Sequence, residues 1–240
     1  MPTTIFSSLT EKDKNDAIQR LIADSTPRDD FFLMIVLSII MATLGLLIDN
    51  VAVIIGSMLI APLLSPILSI SLGIVIADRH LMLRSLFTVI KSVVFAVPTA
   101  LVVTLFFMYS AELGTELNRE ILARAEPSVV FAAIALVAGF AASFALIKPQ
   151  LGAALPGIAV SVALIPPLAA VGVGLAMFDP VITVNSFVLF LINITCIILA
   201  SILVFSLMNL YVKKTVAKKA IIKEDKKLAA EEKRAEQNNH

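Results

Sequence analysis

The sequence predicts an all-α, polytopic membrane protein. Six transmembrane helices form two inverted three-helix repeats, and the second and fifth helices are broken at proline. Three observations predict this. The 240 residues are 59% hydrophobic and only 15% charged. Several apolar stretches reach the roughly 20 residues needed to span a bilayer. Two Pro-bearing apolar segments, Val51 to Asp78 and Gly152 to Asp179, also align without a gap. Gly56 then falls on Gly157, Pro66 on Pro167, Gly73 on Gly174 and Asp78 on Asp179. Interrupted hydrophobic segments at matching positions in two halves are a pointer to an internally duplicated, transporter-like fold.

The spans are expected at about 31–48, 51–77, 88–109, 127–147, 151–177 and 181–211. Each must be helical, because backbone polar groups in hydrocarbon need partners within the segment. The apolar runs are continuous and lack the alternation of a β-barrel strand. As straight helices, 51–77 and 151–177 would each be roughly 40 Å long, against a hydrocarbon core of about 30 Å. Pro62 and Pro66 in the first, and Pro156, Pro166 and Pro167 in the second, remove amide donors and favour a kink or break. The sixth span is overlong and is expected to continue beyond the membrane.

Charge sets the expected orientation. Of 19 Lys and Arg, four precede the first span, Arg79 and Arg84 follow the second, Lys148 follows the fourth, and nine lie from Lys213 to Arg234. Only Arg119 and Arg124 fall in an outer loop, beside Glu112, Glu116, Glu120 and Glu126. This bias predicts both termini in the cytoplasm. With three spans in each half, the second half enters from the opposite side. The first 30 residues are polar and of mixed charge, unlike a signal peptide. The single cysteine, Cys196, excludes a disulfide within the chain.

Three regions are expected: a cytoplasmic N-terminal amphipathic arm (1–26), a transmembrane domain (27–211, with halves of about 27–109 and 127–211) and a charged cytoplasmic helical tail (212–240). In the arm, a helix over 3–25 presents Leu9, Ile18, Leu21 and Ile22. Thr26 is expected to cap the first membrane helix, with Pro27 in its first turn. In the tail, Val212, Val216 and Ala220 continue one stripe. The tail fits attraction to lipid headgroups or packing in an oligomer, and equally a solvated helix.

No Walker loop, paired-Cys motif or nucleophile elbow is present, so neither an enzyme nor a cofactor is expected. Asp78 and His80 read better as a solvated turn than as metal ligands. The candidate substrate- or ion-binding residues are polar groups and prolines at membrane depth: Ser57, Pro62, Ser65, Pro66 and Ser69 in the second span, and Ser161, Pro166 and Pro167 in the fifth. If Pro66 breaks the helix, freed carbonyls and the flanking hydroxyls can coordinate a small ion or solute. The serines serve equally well as kink caps or packing contacts. Asp49 and Asn50, between the first two spans, are candidates at an outer mouth, although a plain turn accounts for them too. Lys91, near the start of the third span, fits a side chain snorkelling to the interface. Small residues from Ala132 to Ala145 make the fourth span a close-packing helix.

The stretches Ser38 to Leu47, Ile55-Gly-Ser-Met-Leu-Ile-Ala-Pro-Leu63, Ser65-Pro-Ile67 and Ala163-Leu-Ile-Pro-Pro-Leu168 resemble a bacterial and archaeal family, the uncharacterised hydrophobic domain, catalogued as domain of unknown function three-eight-nine. The resemblance covers roughly 27–211. It implies a polytopic protein of the cytoplasmic (inner) membrane with no assigned activity, and it supplies no catalytic residues. Many members carry an additional soluble domain.

The expected function is therefore a small transporter or ion-conducting protein with its site at the broken helices. The alternative is an oligomeric scaffold that binds lipid or a partner without transport. Expected partners are membrane lipids, further copies of the chain and a small solute or ion, with no nucleic acid.

Overall fold

The computed structural model describes residues 10–110, 118–148, 151 and 164–238. Among these, all regular structure is helical: α1 Glu11–Asp24, α2 Asp29–Leu47, α3 Val51–Ile60, α4 Leu64–Val75, α5 Arg79–Tyr109, α6 Arg119–Arg124, α7 Val129–Ile147, α8 Ile165–Ala176, α9 Pro180–Leu207, a short 3-10 turn Leu210–Lys213, and α10 Lys214–Asn238. Four helices, α2, α5, α7 and α9, are long and apolar enough to cross a membrane. The α3–α4 pair, bent by 50°, makes up to five. The fifth expected span is represented by α8, whose 12 residues reach only about 18 Å. The rest of that span, including Ser161, lies outside the described residues.

Three helix corners repeat one local construction. At each, a glycine begins the last turn, a non-glycine residue turns left-handed, and an Asp or Asn starts the next helix. Asn50 N–H donates to the Gly45 carbonyl (2.8 Å), Asp78 to Gly73 (2.9 Å) and Asp179 to Gly174 (2.9 Å). Asp49, Ala77 and Phe178 hold the left-handed position, at φ 54°, 49° and 56°. With the second bond from each of those residues back to Leu46, Ile74 or Leu175, each corner is a Schellman closure that satisfies terminal carbonyls. The carboxylates of Asp78 and Asp179 and the Asn50 amide oxygen then cap α5, α9 and α3. Glycine is needed because the next helix passes directly over it. A Cβ on Gly73 would lie 2.8 Å from Met82 N, and one on Gly174 2.7 Å from Thr183 Oγ1.

The second and third corners also share a register. α4 and α8 have the same length and begin at Leu64 and Ile165, positions that coincide in the alignment of the two segments. Packing follows the same pattern: α4 lies against α5 and α9, and α8 against α9 and α5. α2 packs on α5, and α7 on α9.

The bundle has two chemically distinct ends. At one, Arg28 pairs with Glu224 (2.8 Å), Arg84 with Asp225, Lys213 with Glu11, and Lys214 donates to the Ala77 carbonyl. At the other, Asn118 donates to the Leu46 carbonyl, Glu120 N–H to the Asp49 carboxylate, and Asn185 to the Ala125 carbonyl. α4 ends at the first end. α8 runs the opposite way, toward the second.

Several sequence expectations change. Thr26 does not cap the first long helix, which starts at Asp29 with Arg28 at the cap position. The Thr26 hydroxyl instead turns back to the Ile22 carbonyl (2.8 Å) and accepts from Arg84. The third span starts at Arg79 rather than 88, because Asp78 caps it there. The last span does not run on into the tail: left-handed Asn209 and the 3-10 turn separate α9 from α10. The tail is not simply solvated either. Ala217, Ala220, Ile221 and Glu224 are buried, while Val212 is exposed, and α10 packs on α1. On α1, Ile18, Leu21 and Ile22 are buried as the arm pattern anticipated.

The small-residue face of α7 is spent inside the chain. Ala138, Gly139, Ala142 and Ser143 are buried, and Gly139 sits against Ile197 and Ala200 of α9.

Gly174→Ala is expected to lower stability by about 1–3 kcal/mol through overpacking at Thr183. Gly56→Ala, whose Cβ meets only the Met41 methyl at 3.7 Å, is expected to be neutral or to stabilise by about 0.5–1 kcal/mol. Thermal unfolding in one detergent compares the two.

Candidate functional site

The break between α3 and α4 is made by Pro62. Ala61 before it is extended (φ −73°, ψ 123°), the conformation that a following proline imposes. Pro66 does not break the chain. It is the third residue of α4, where a helix has no intrahelical use for an amide hydrogen. Pro166 and Pro167 are the second and third residues of α8. Neither helix start has a side-chain cap. A buried, uncapped start would strand several N–H donors, and the prolines remove some of them. They allow two helices to begin inside an apolar body.

These two starts meet. Met58, Ala61, Leu63 and Leu64 face Leu164 and Ile165 across a void of about 10 Å³. That volume is at the lower limit for one water molecule, and its walls are apolar. Pro66, Pro166 and Pro167 are buried, whereas Pro62 and Ser65 are half-buried. The structure thus brings the proline-bearing starts of both segments together, Ser161 lying outside the described residues.

The serines are engaged elsewhere. Ser57 donates to the Ile54 carbonyl (2.6 Å), and its own carbonyl accepts from Ser38 on α2 (2.7 Å). Ser69 reaches the Leu21 carbonyl of α1 (3.4 Å), and Ser71 the carbonyls of Ile67 and Ile198 (3.3 and 3.4 Å). Ser65 makes no hydrogen bond among the described residues. The Ser69 and Ser71 hydroxyls link helices, whereas the Ser57 hydroxyl bonds within α3. Ser38, the donor that satisfies the last turn of α3, carried no sequence signal beyond its place in an apolar run.

Asp49 and Asn50 are the turn itself. They close the first corner, and Asp49 also docks α6. Lys91 stands 4.3 Å from the centroid of the Phe32 ring, a cation–π contact. His80 and Asp225 approach to 3.3 Å on an exposed surface. No group of three or more His, Cys, Asp or Glu that could hold a metal is found among the described residues.

Outside the long helices, three carboxyls are perturbed, among them Asp13, held below its ordinary value by hydrogen bonds from Thr10. The Glu11 carboxyl is held below its ordinary value, chiefly by the hydrogen bond from Lys213. Burial pushes Asp24 up, with Arg20 opposing.

Residues 58–199, more than half of the chain, match the model of the Domain of unknown function (DUF389) family. The chain belongs to that family. This DUF389 protein is 30% identical over 214 residues to "Uncharacterized protein MJ0678" of the archaeon Methanocaldococcus jannaschii, an alignment covering 85% of this chain and 65% of that relative. The chain thus spans less than two thirds of its relative's length. No solved structure matches it. Family and helix composition together make it an integral membrane protein.

Ser38→Ala leaves the buried Ser57 carbonyl without its donor and is expected to cost about 1 kcal/mol or more. Ser65→Ala breaks no bond and is expected to stay within about 0.5 kcal/mol of the parent. Denaturant unfolding in mild detergent distinguishes them.

Proposed function

We propose that the protein is a small transporter or ion-conducting protein of the cytoplasmic membrane, with its site where α4 and α8 begin. One observation carries this reading: two short apolar helices of equal length start side by side within the bundle and run to opposite ends. Discontinuous helices meeting at the interface of inverted repeats are how many transporters build a midplane site. The matched corners Gly73–Asp78 and Gly174–Asp179 and the reciprocal packing of α4 and α8 support an inverted duplication of three spans per half. The end bearing Arg28, Arg84 and α10 is the more basic, which supports both termini being cytoplasmic. On this reading the protein is a non-enzyme that meets lipid, further copies of itself and a small solute or ion. The apolar junction of about 10 Å³ corresponds to a closed state.

The scaffold reading has its own support. The junction is lined by apolar side chains around a void of about 10 Å³, and Ser69 and Ser71 are used for packing. The α7 small-residue face, buried against α9, does not serve it, so oligomers would form through other lipid-facing surfaces.

Purified protein reconstituted into liposomes is to be loaded with ions, amino acids and organic acids in turn, after a thermal-shift screen selects ligands. Saturable flux is expected. The Pro62→Ala/Pro66→Ala variant, which lets α3 and α4 join, is expected to lower flux by about tenfold, equivalent to about 1.4 kcal/mol on the barrier, while remaining folded. Absence of flux for every solute, or unchanged flux in a folded variant, would favour the scaffold.

A further inference from the structure

A cleft of about 580 Å³ lies outside the helix junction, between α1 and α10. Small-ligand sites commonly occupy about 300–1,000 Å³. Four cations line it: Arg20 on α1, and Lys219, Lys223 and Lys227 on α10. The three lysines are four residues apart, which stacks them on one helix face. Like charges at that spacing repel by a few tenths of a kcal/mol per pair, so the arrangement is unfavourable without an anion.

The acids of α10 relieve it only at Lys227. Glu224, the acidic residue lining the cleft, is buried and shared between Arg28 (2.8 Å) and Lys227 (2.6 Å). Asp225 is turned to Arg84 and His80. Lys219 and Lys223 form no ion pair among the described residues. Asp24, one turn beyond Arg20 on α1, interacts with it electrostatically and offsets part of its charge. Asn15 and Gln19 add amide N–H donors to that wall. A roomy cleft with excess positive charge and amide groups suits a ligand with several anionic oxygens, which lysines hold as point charges.

We propose that this cleft binds a phosphate-bearing anion, either a lipid headgroup or a soluble phosphate compound, which braces the arm α1 against the tail α10. The site does not depend on whether the α4–α8 junction transports.

The test uses the full chain in nanodiscs, in two arms. Pyrophosphate is titrated calorimetrically into protein in phosphatidylcholine nanodiscs. Separately, native mass spectrometry counts the phosphatidylglycerol retained from mixed phosphatidylcholine–phosphatidylglycerol nanodiscs. Lys219→Gln/Lys223→Gln removes two exposed, unpaired cations from the wall. Lys218→Gln/Lys226→Gln removes the same charge from positions that do not line the cleft. Saturable binding in the first arm identifies a soluble ligand, and selective retention in the second identifies a headgroup. In either case the Lys219/Lys223 variant is expected to weaken binding by about tenfold, with the Lys218/Lys226 variant unchanged. No binding in either arm, or equal loss in both variants, would overturn the proposal.

Discussion

The constraint on which the rest of this structure depends is the satisfaction of backbone polar groups inside an apolar body. A helix that ends in hydrocarbon exposes carbonyls, and one that begins there exposes amide hydrogens. At the corners, which lie at the ends of the bundle, the chain closes off helix carbonyls at Gly45, Gly73 and Gly174, where the N–H of the next helix's capping residue closes back on the glycine carbonyl. Asn50, Asp78 and Asp179 then satisfy the start of that next helix. Each left-handed residue costs about 1–2 kcal/mol relative to a right-handed one, and the closures and close helix contacts offset this. Each corner reverses the chain within a few residues, which lets α4 pack on α5 and α8 on α9.

The second problem is met differently. α4 and α8 start without side-chain caps, and prolines at Pro66, Pro166 and Pro167 remove donors that would otherwise lack partners. Proline here is a device for starting a helix in a dry place. The actual interruption falls at Pro62, through the extended backbone it imposes on Ala61. These choices hold two helix starts against each other, and the functional reading rests on that juxtaposition.

Much of this was legible in the sequence. The all-α class followed from continuous apolar runs, and the arm's buried face from Ile18, Leu21 and Ile22. The landmark pairs Gly73/Gly174 and Asp78/Asp179 proved to be corners because the glycine–acid spacing encodes a local closure. Less legible was anything set by a distant partner. Pro66 looks like a breaker in isolation, and only its position three residues into α4 shows otherwise. Thr26 has the chemistry of a cap, but Ile22 and Arg84 claim its hydroxyl. The α10 stripe was placed slightly off register because α1, a partner distant in sequence, sets which face of the helix is buried. The α7 small residues read equally as an internal or external contact until Ile197 and Ala200 were seen to occupy them.

The arm and tail are joined to the same end of the bundle as the Ala77 corner, through Lys214 and the Arg28–Glu224 and Arg84–Asp225 pairs. The Phe178 corner lies toward the other end. The account therefore stands or falls on these two like-built corners facing opposite sides of the membrane. The most direct measurement is labelling of Ala77→Cys and Phe178→Cys, each in a Cys196→Ser background, with a membrane-impermeant thiol reagent on intact cells and on inverted vesicles. Both positions are exposed in the fold. The account predicts that Phe178→Cys labels only in intact cells and Ala77→Cys only in inverted vesicles. Labelling of both from the same side would contradict it.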